Sequence, residues 1–174
     1  MRLLIIKGFT LFELIISIAI ISIISIIGIA SYQPLIANQA LSYRADQIYY
    51  TLKLAQSEAI KRNKTIYVHF CQQQSVWKMG ISESSQCDCF TYNACQLDGI
   101  EKVQNLADGR TLFINEEAIT FSGNQASYKA LRFKVEIGSI TLTNSEKKSL
   151  SIIQSGKRLR VCAPGIEKLG YPQC

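Results

Sequence analysis

Six cysteines, a single histidine and a cluster of basic residues near the C-terminus are the groups with chemistry to offer in this sequence. Cys71, Cys87, Cys89, Cys95, Cys162 and Cys174 could hold a metal ion or form disulfides. Zinc sites favour a C-x2-C step, which Cys87-Asp88-Cys89 lacks, and His69 lies in an apolar, alternating stretch. An even count following a membrane-targeting segment favours disulfides made in an oxidising compartment. Cys162 and Cys174 are expected to pair and clamp APGIEKLGYPQ as a loop. The other four then form two bridges, Cys71 with one of the trio Cys87, Cys89 and Cys95, with the full connectivity left open. No metal and no cofactor is expected. Catalysis is not expected either. One histidine at a strand position gives little scope for acid–base work, and no phosphate-cradling glycine loop occurs.

The basic residues are unevenly placed. The formal charge of +6 resolves into +1 over residues 1–30, +3 over 31–64, −3 over 65–130 and +5 over 131–174. In SGKRLRVC, residues 155–162, strand alternation sets Arg158 and Arg160 on one face, with Lys157, Leu159 and Val161 on the other. Lys147 and Lys148 lie upstream and Lys168 downstream. Converging, these cations would contact phosphates without reading sequence. The alternative is an edge strand kept soluble by its charges.

At the other end, residues 9–30 read FTLFELIISIAIISIISIIGIA, 22 residues with Glu13 the only charge. That length spans a bilayer core as a helix, and Arg2 and Lys7 ahead of it keep the N-terminus cytoplasmic. A buried carboxylate costs roughly 2.5–3.5 kcal/mol there, so a partner is expected. A signal peptide cut after Ala30 would leave Glu13 unexplained, and its apolar core would be too long.

The residues Lys7-Gly8-Phe9-Thr10-Leu11-Phe12-Glu13 resemble the prepilin processing motif of type IV pilins and type II secretion pseudopilins. The resemblance implies cleavage by a prepilin peptidase after Gly8 and N-methylation of Phe9. It also implies that Glu13 pairs with the N-terminal ammonium of a neighbouring subunit, since two charges in an apolar medium are tolerable as a pair.

Downstream, Leu41, Ala45, Ile48, Leu52, Ala55 and Ala59 repeat at steps of four and three, an amphipathic helix expected to end near Arg62-Asn63, with Pro34 bending the chain ahead of it. Strands are expected at 64–70, 75–82, 111–115, 118–122, 131–137, 139–143, 149–153 and 157–161, with turns at Gly138 and Gly156. Residues 83–108 read as a disulfide-pinned surface loop. The class is α+β. The expected organisation is a leader (1–8), a transmembrane or filament-core helix (9–33), an amphipathic helix (34–63) and a β-rich, disulfide-containing domain (64–174). LKLAQSEAIKRN, AITFSG and GKRLRVC resemble the GspH/FimT minor pilins, although Gln56 stands where that family more often has arginine. The resemblance implies a pilin-like fold, with a long N-terminal helix packed on an antiparallel sheet.

The function this implies is that of a minor pilin inserted in the inner membrane, its C-terminal domain periplasmic, then assembled with other pilins into an extracellular pilus. In the FimT branch a C-terminal Gly-Arg-x-Arg motif is associated with DNA binding in natural transformation. Gly156-Lys157-Arg158-Leu159-Arg160 is similar, with Lys157 intruding. Double-stranded DNA, bound without sequence preference through Lys147, Lys148, Lys157, Arg158 and Arg160, is thus an expected partner. The alternatives are a priming subunit that binds only other pilins, and a type II secretion pseudopilin.

Overall fold

The computed structural model describes residues 9–129, 135–156, 158–165 and 169–174, with side chains at 26–31 and at 116 left aside. Among the described residues one long helix, α1 (Leu11–Arg62), is followed by ten strands. By internal contacts the chain divides into two units, Met1–Ile36 and Ala37–Cys174.

In the first unit α1 begins at a reciprocal cap. The Thr10 hydroxyl accepts from the Glu13 N–H at 3.2 Å, while the Thr10 N–H donates to Glu13 Oε2 at 3.0 Å. This T-x-x-E box satisfies helix-terminal donors that have no intrahelical partner. Pro34 lies inside α1.

In the second unit the stripe Leu41, Ala45, Ile48, Leu52, Ala55 and Ala59 is entirely buried. Its three alanines let the helix sit close to the sheets. α1 stops at Arg62 because Asn63 takes a left-handed conformation, φ 53°, which an asparagine tolerates as a helix terminator.

Two antiparallel four-stranded sheets share the core with that stripe. The first has the order β5-β2-β1-β7, built from β1 (Ile66–Gln73), β2 (Val76–Ser82), β5 (Val103–Ala107) and β7 (Gln125–Tyr128). The second has the order β10-β9-β8-β6, built from β6 (Leu112–Phe113), β8 (Gly138–Asn144), β9 (Ser149–Ser155) and β10 (Arg158–Cys162). A small hairpin, β3 (Gln96–Leu97) with β4 (Ile100–Glu101), forms a ladder of its own beside β2 and sends Leu97 into the core. Alternation assigns the inward faces: Ile66, Val68 and Phe70 on β1, Trp77, Met79 and Ile81 on β2, Ile140 and Leu142 on β8, Leu150 and Ile152 on β9.

Several sequence expectations change. The stretch 83–108 is not a bare loop, since it holds β3, β4 and the edge strand β5. Residues 118–122 are not a strand: 3-10 turns occupy 116–118 and 122–124, and only Ile119 bridges to Ile140. Ile119 and Phe121 are buried there, so their apolar alternation reflects core contact without a ladder. Gly138 is not a turn residue. It opens β8 under the Phe121 ring, where a Cβ would come within 2.3 Å of that ring. Gly156 does lie in the β9–β10 turn. The segment expected at 131–137 falls largely outside the described residues.

Candidate functional site

The apolar helix of the first unit presents its side chains outward. Phe9, Leu11, Phe12 and most of the isoleucines to Ile24 are exposed, Phe9 at 73%. Apolar area on this scale is unfavourable in water and marks a surface meant for lipid or protein. The polar groups in the run are satisfied within it. Ser17, Ser22 and Ser25 donate to the carbonyls of Glu13, Ile18 and Ile21 at 2.7, 2.7 and 2.8 Å, as an apolar setting demands. The Glu13 carboxylate also accepts from the Thr10 hydroxyl at 3.0 Å. Gly8, and with it the expected cleavage bond, lies outside the described residues. Among the described residues no helix is long and apolar enough to cross a membrane.

At the C-terminal end, β10 is the outer strand of the second sheet. Arg158 and Arg160 are exposed while Leu159 turns into the core. Register places Arg158 opposite Ser155 and Arg160 opposite Ile153. Lys147 and Lys148 occupy the turn before β9, at the other end of that strand, so about 17–27 Å of chain separates them from the arginines at 3.4 Å per residue. The arginines therefore stand together and the lysines stand away from them. Lys147 is exposed at the turn, with φ 59°, and Lys157 and Lys168 lie outside the described residues. The end of β10 is locked by Cys162–Cys174 and by Ala163, which donates to the Pro172 carbonyl at 2.8 Å. The Tyr171 hydroxyl then donates to Asp46 Oδ1 on α1 at 2.9 Å. Burial and that carboxylate push the Tyr171 phenol up to about 12.

The remaining disulfides, Cys71–Cys89 and Cys87–Cys95, pin the 83–95 loop over the outer face of the first sheet. The sulfurs of Cys87, Cys89 and Cys95 lie within 4.8 Å of one another, but all are committed to disulfides. Gly80 makes this possible, since a Cβ there would fall 2.7 Å from the Cys95 sulfur. Arg62, at the end of α1, ties the same region down through ion pairs with Glu58 at 2.5 Å, with Asp98 at the β3–β4 turn and with Glu83. His69 sits beneath the loop, its Nε2 bonded to the Ser84 carbonyl at 3.1 Å, and burial pushes its pKa below the ordinary histidine value. Sequence reasoning missed the Thr10–Glu13 cap and the Arg62 cluster. The T-x-x-E spacing could have revealed the first, whereas no local signal announces the second.

Comparison with known proteins adds the following. A family model described as type II transport protein GspH matches residues 44–165, and one for the prokaryotic N-terminal methylation motif matches residues 6–29. Among solved structures, the chain is similar to the minor pseudopilin EpsH from the type 2 secretion system of Vibrio cholerae. That likeness has a TM-score of 0.50 at 16% identity, over 72% of this chain and 98% of the other. The type IV minor pilin FimU of Pseudomonas aeruginosa is more distant, with a TM-score of 0.42 at 12% identity over 68% and 91% of the two chains. No curated protein matches the sequence.

Proposed function

The chain belongs to the GspH family and carries the N-terminal methylation motif, and from that premise we propose that it is a minor type IV pilin whose basic edge strand binds DNA. Minor subunits of type II secretion or type IV pilus systems act by assembling with other pilins, after processing by the prepilin peptidase. In this reading the chain works by contact, without catalysis. It is held in the inner membrane by residues 9–30, cut after Gly8, methylated at Phe9 and then passed into a pilus. Glu13 gives up its bonds to Thr10 to meet the ammonium of another subunit.

The observation that carries the DNA reading is the pair of exposed arginines on the outer strand of the second sheet. Two guanidiniums spaced one residue apart on an edge can reach successive phosphates, and nothing in that geometry selects a base. Binding of duplex DNA to the full-length protein in detergent micelles tests it. Changing Arg158→Ala with Arg160→Ala is expected to weaken binding and to lower the slope of log affinity against log salt by about two. An unchanged slope sinks the assignment. A second reading, a pseudopilus subunit serving protein export, is favoured by the description of the matching family model. A strain deleted for the gene separates the two, losing transformation in the first case and secretion in the second.

A further inference from the structure

An open groove of about 520 Å3 lies on the outer face of the first sheet, between the disulfide-pinned loop and β7. Its floor includes His69, opposite Gln125 on the outward parity of the sheet. Tyr67, opposite Ser127, stands beside the groove on that same parity, outside its lining. Gln86 and Asp88 of the loop line its side.

We propose that this groove is a binding site for an uncharged saccharide, with Tyr67 at its margin as the platform for a sugar ring and His69, Gln125 and Gln86 as partners for its hydroxyls.

The imidazole is the most telling group. His69 is only 7% exposed, and one of its nitrogens bonds the Ser84 carbonyl. A carbonyl can only accept, so Nε2 carries the proton and Nδ1 keeps a lone pair. No protein partner meets Nδ1 among the described residues, and no buried side-chain nitrogen or oxygen is left unsatisfied, so Nδ1 is reached from the groove. Because burial disfavours the charged ring, it stays neutral near pH 7 and offers an acceptor to a hydroxyl.

The amides of Gln86 and Gln125 each carry both donors and an acceptor, which suits a hydroxyl that does both. The ring of Tyr67 is half-buried, with its centroid 6.1 Å from the imidazole. Charge sets the ligand class. Residues 65–130 carry a net −3, and no lysine or arginine lines the groove. Asp88 offers little, since Oδ1 accepts from the Phe90 N–H at 3.0 Å and Oδ2 from the Thr91 hydroxyl at 2.6 Å. A phosphate or sulfate would find no cation on the lining, and an apolar ligand would strand the amides. The walls are preorganised by Cys71–Cys89 and Cys87–Cys95 and by the Ser82 hydroxyl, which accepts from the Ser84 N–H at 2.9 Å, so little ordering remains for a ligand to impose.

The sole histidine makes the test direct. Full-length protein in a zwitterionic, sugar-free detergent is titrated with chitotetraose and, separately, maltotetraose, while the His69 ring signals are followed by NMR. At least one of these neutral probes is expected to shift them saturably. Gln125→Ala and Tyr67→Leu should each weaken binding about tenfold, Tyr67→Phe should retain it, and Arg158→Ala with Arg160→Ala should leave it unchanged. No saturable shift with either tetrasaccharide overturns the proposal. So does a stronger response to sulfated dextran, or binding that survives both Gln125→Ala and Tyr67→Leu.

Discussion

The two sheets are built alike and finished differently. Each has four antiparallel strands with an apolar face turned to the core shared with α1. The outer face of the first carries the cysteine loop, bolted on by two disulfides and braced at Arg62. The outer face of the second carries no such loop among the described residues. Thr141 bonds Ser151 at 2.7 Å and Thr143 bonds Ser149 at 2.9 Å across it, and Arg158 and Arg160 stand at its edge. Covalent fastening therefore sits on the acidic sheet, while the basic sheet relies on ladder and side-chain hydrogen bonds plus a single bridge at its end. Change where the loop is fastened to the first sheet should be felt as lost stability, and change at the arginine edge of the second as altered DNA binding.

The largest effect should come from Gly80→Val. A side chain there collides with the Cys95 sulfur, so Cys87–Cys95 cannot close, and the loss should be about 2–5 kcal/mol, the scale of a native disulfide. Urea unfolding with a free-thiol count checks it, and a variant of wild-type stability with no free thiol would break the contrast between the sheets. Next, Cys162→Ser with Cys174→Ser opens a loop of sequence separation 12 and should cost about 3 kcal/mol by chain entropy. It should also free Tyr171 from Asp46, bringing its phenol titration down from about 12 towards the ordinary tyrosine value.

Smaller still, Arg158→Ala with Arg160→Ala should move stability by less than about 0.5 kcal/mol, as exposed positions do, while the salt slope of DNA binding falls. A large loss of stability would recast the pair as structural. The smallest effect is a pH dependence confined to the first sheet. His69 has its folded pKa below the ordinary value of about 6.5, so the unfolded chain binds the proton more readily. Stability should therefore be full above that value and decline as pH falls through it. His69→Gln should flatten this part of the profile in urea melts. Asp108 behaves differently. Burial alone would raise its carboxyl, but N–H groups of Thr111, Arg110 and Leu112 and the Thr111 hydroxyl outweigh it and hold it well below the usual range. Its contribution is present above the ordinary carboxylate pKa and lost only in strong acid.

Much of the fold was legible because the signals were local and periodic. The stripe from Leu41 to Ala59 is buried as its steps of four and three require, and the strands expected at 64–70, 75–82, 139–143 and 149–153 form at 66–73, 76–82, 138–144 and 149–155. The β3–β4 hairpin had a readable signal in Asp98-Gly99, whose φ values of 56° and 72° match a two-residue turn. β5 and β7 had none. VQNLA and QASY are short and weakly β-forming, and they become strands because β2 and β1 offer open edges beside them.

By itself the sequence determined the class of chain: a Glu13 in a continuous apolar run, a helix stripe, an alternating β domain and an even set of cysteines. These rest on neighbours a few residues apart, where periodicity and spacing suffice. Only the tertiary structure decided which of Cys87, Cys89 and Cys95 pairs with Cys71, that Gly80 clears space for Cys95, that Lys147 and Lys148 stand away from Arg158 and Arg160, and that His69 opens into a groove. Each of these depends on the register of strands brought together across many residues, and no local pattern specifies that register.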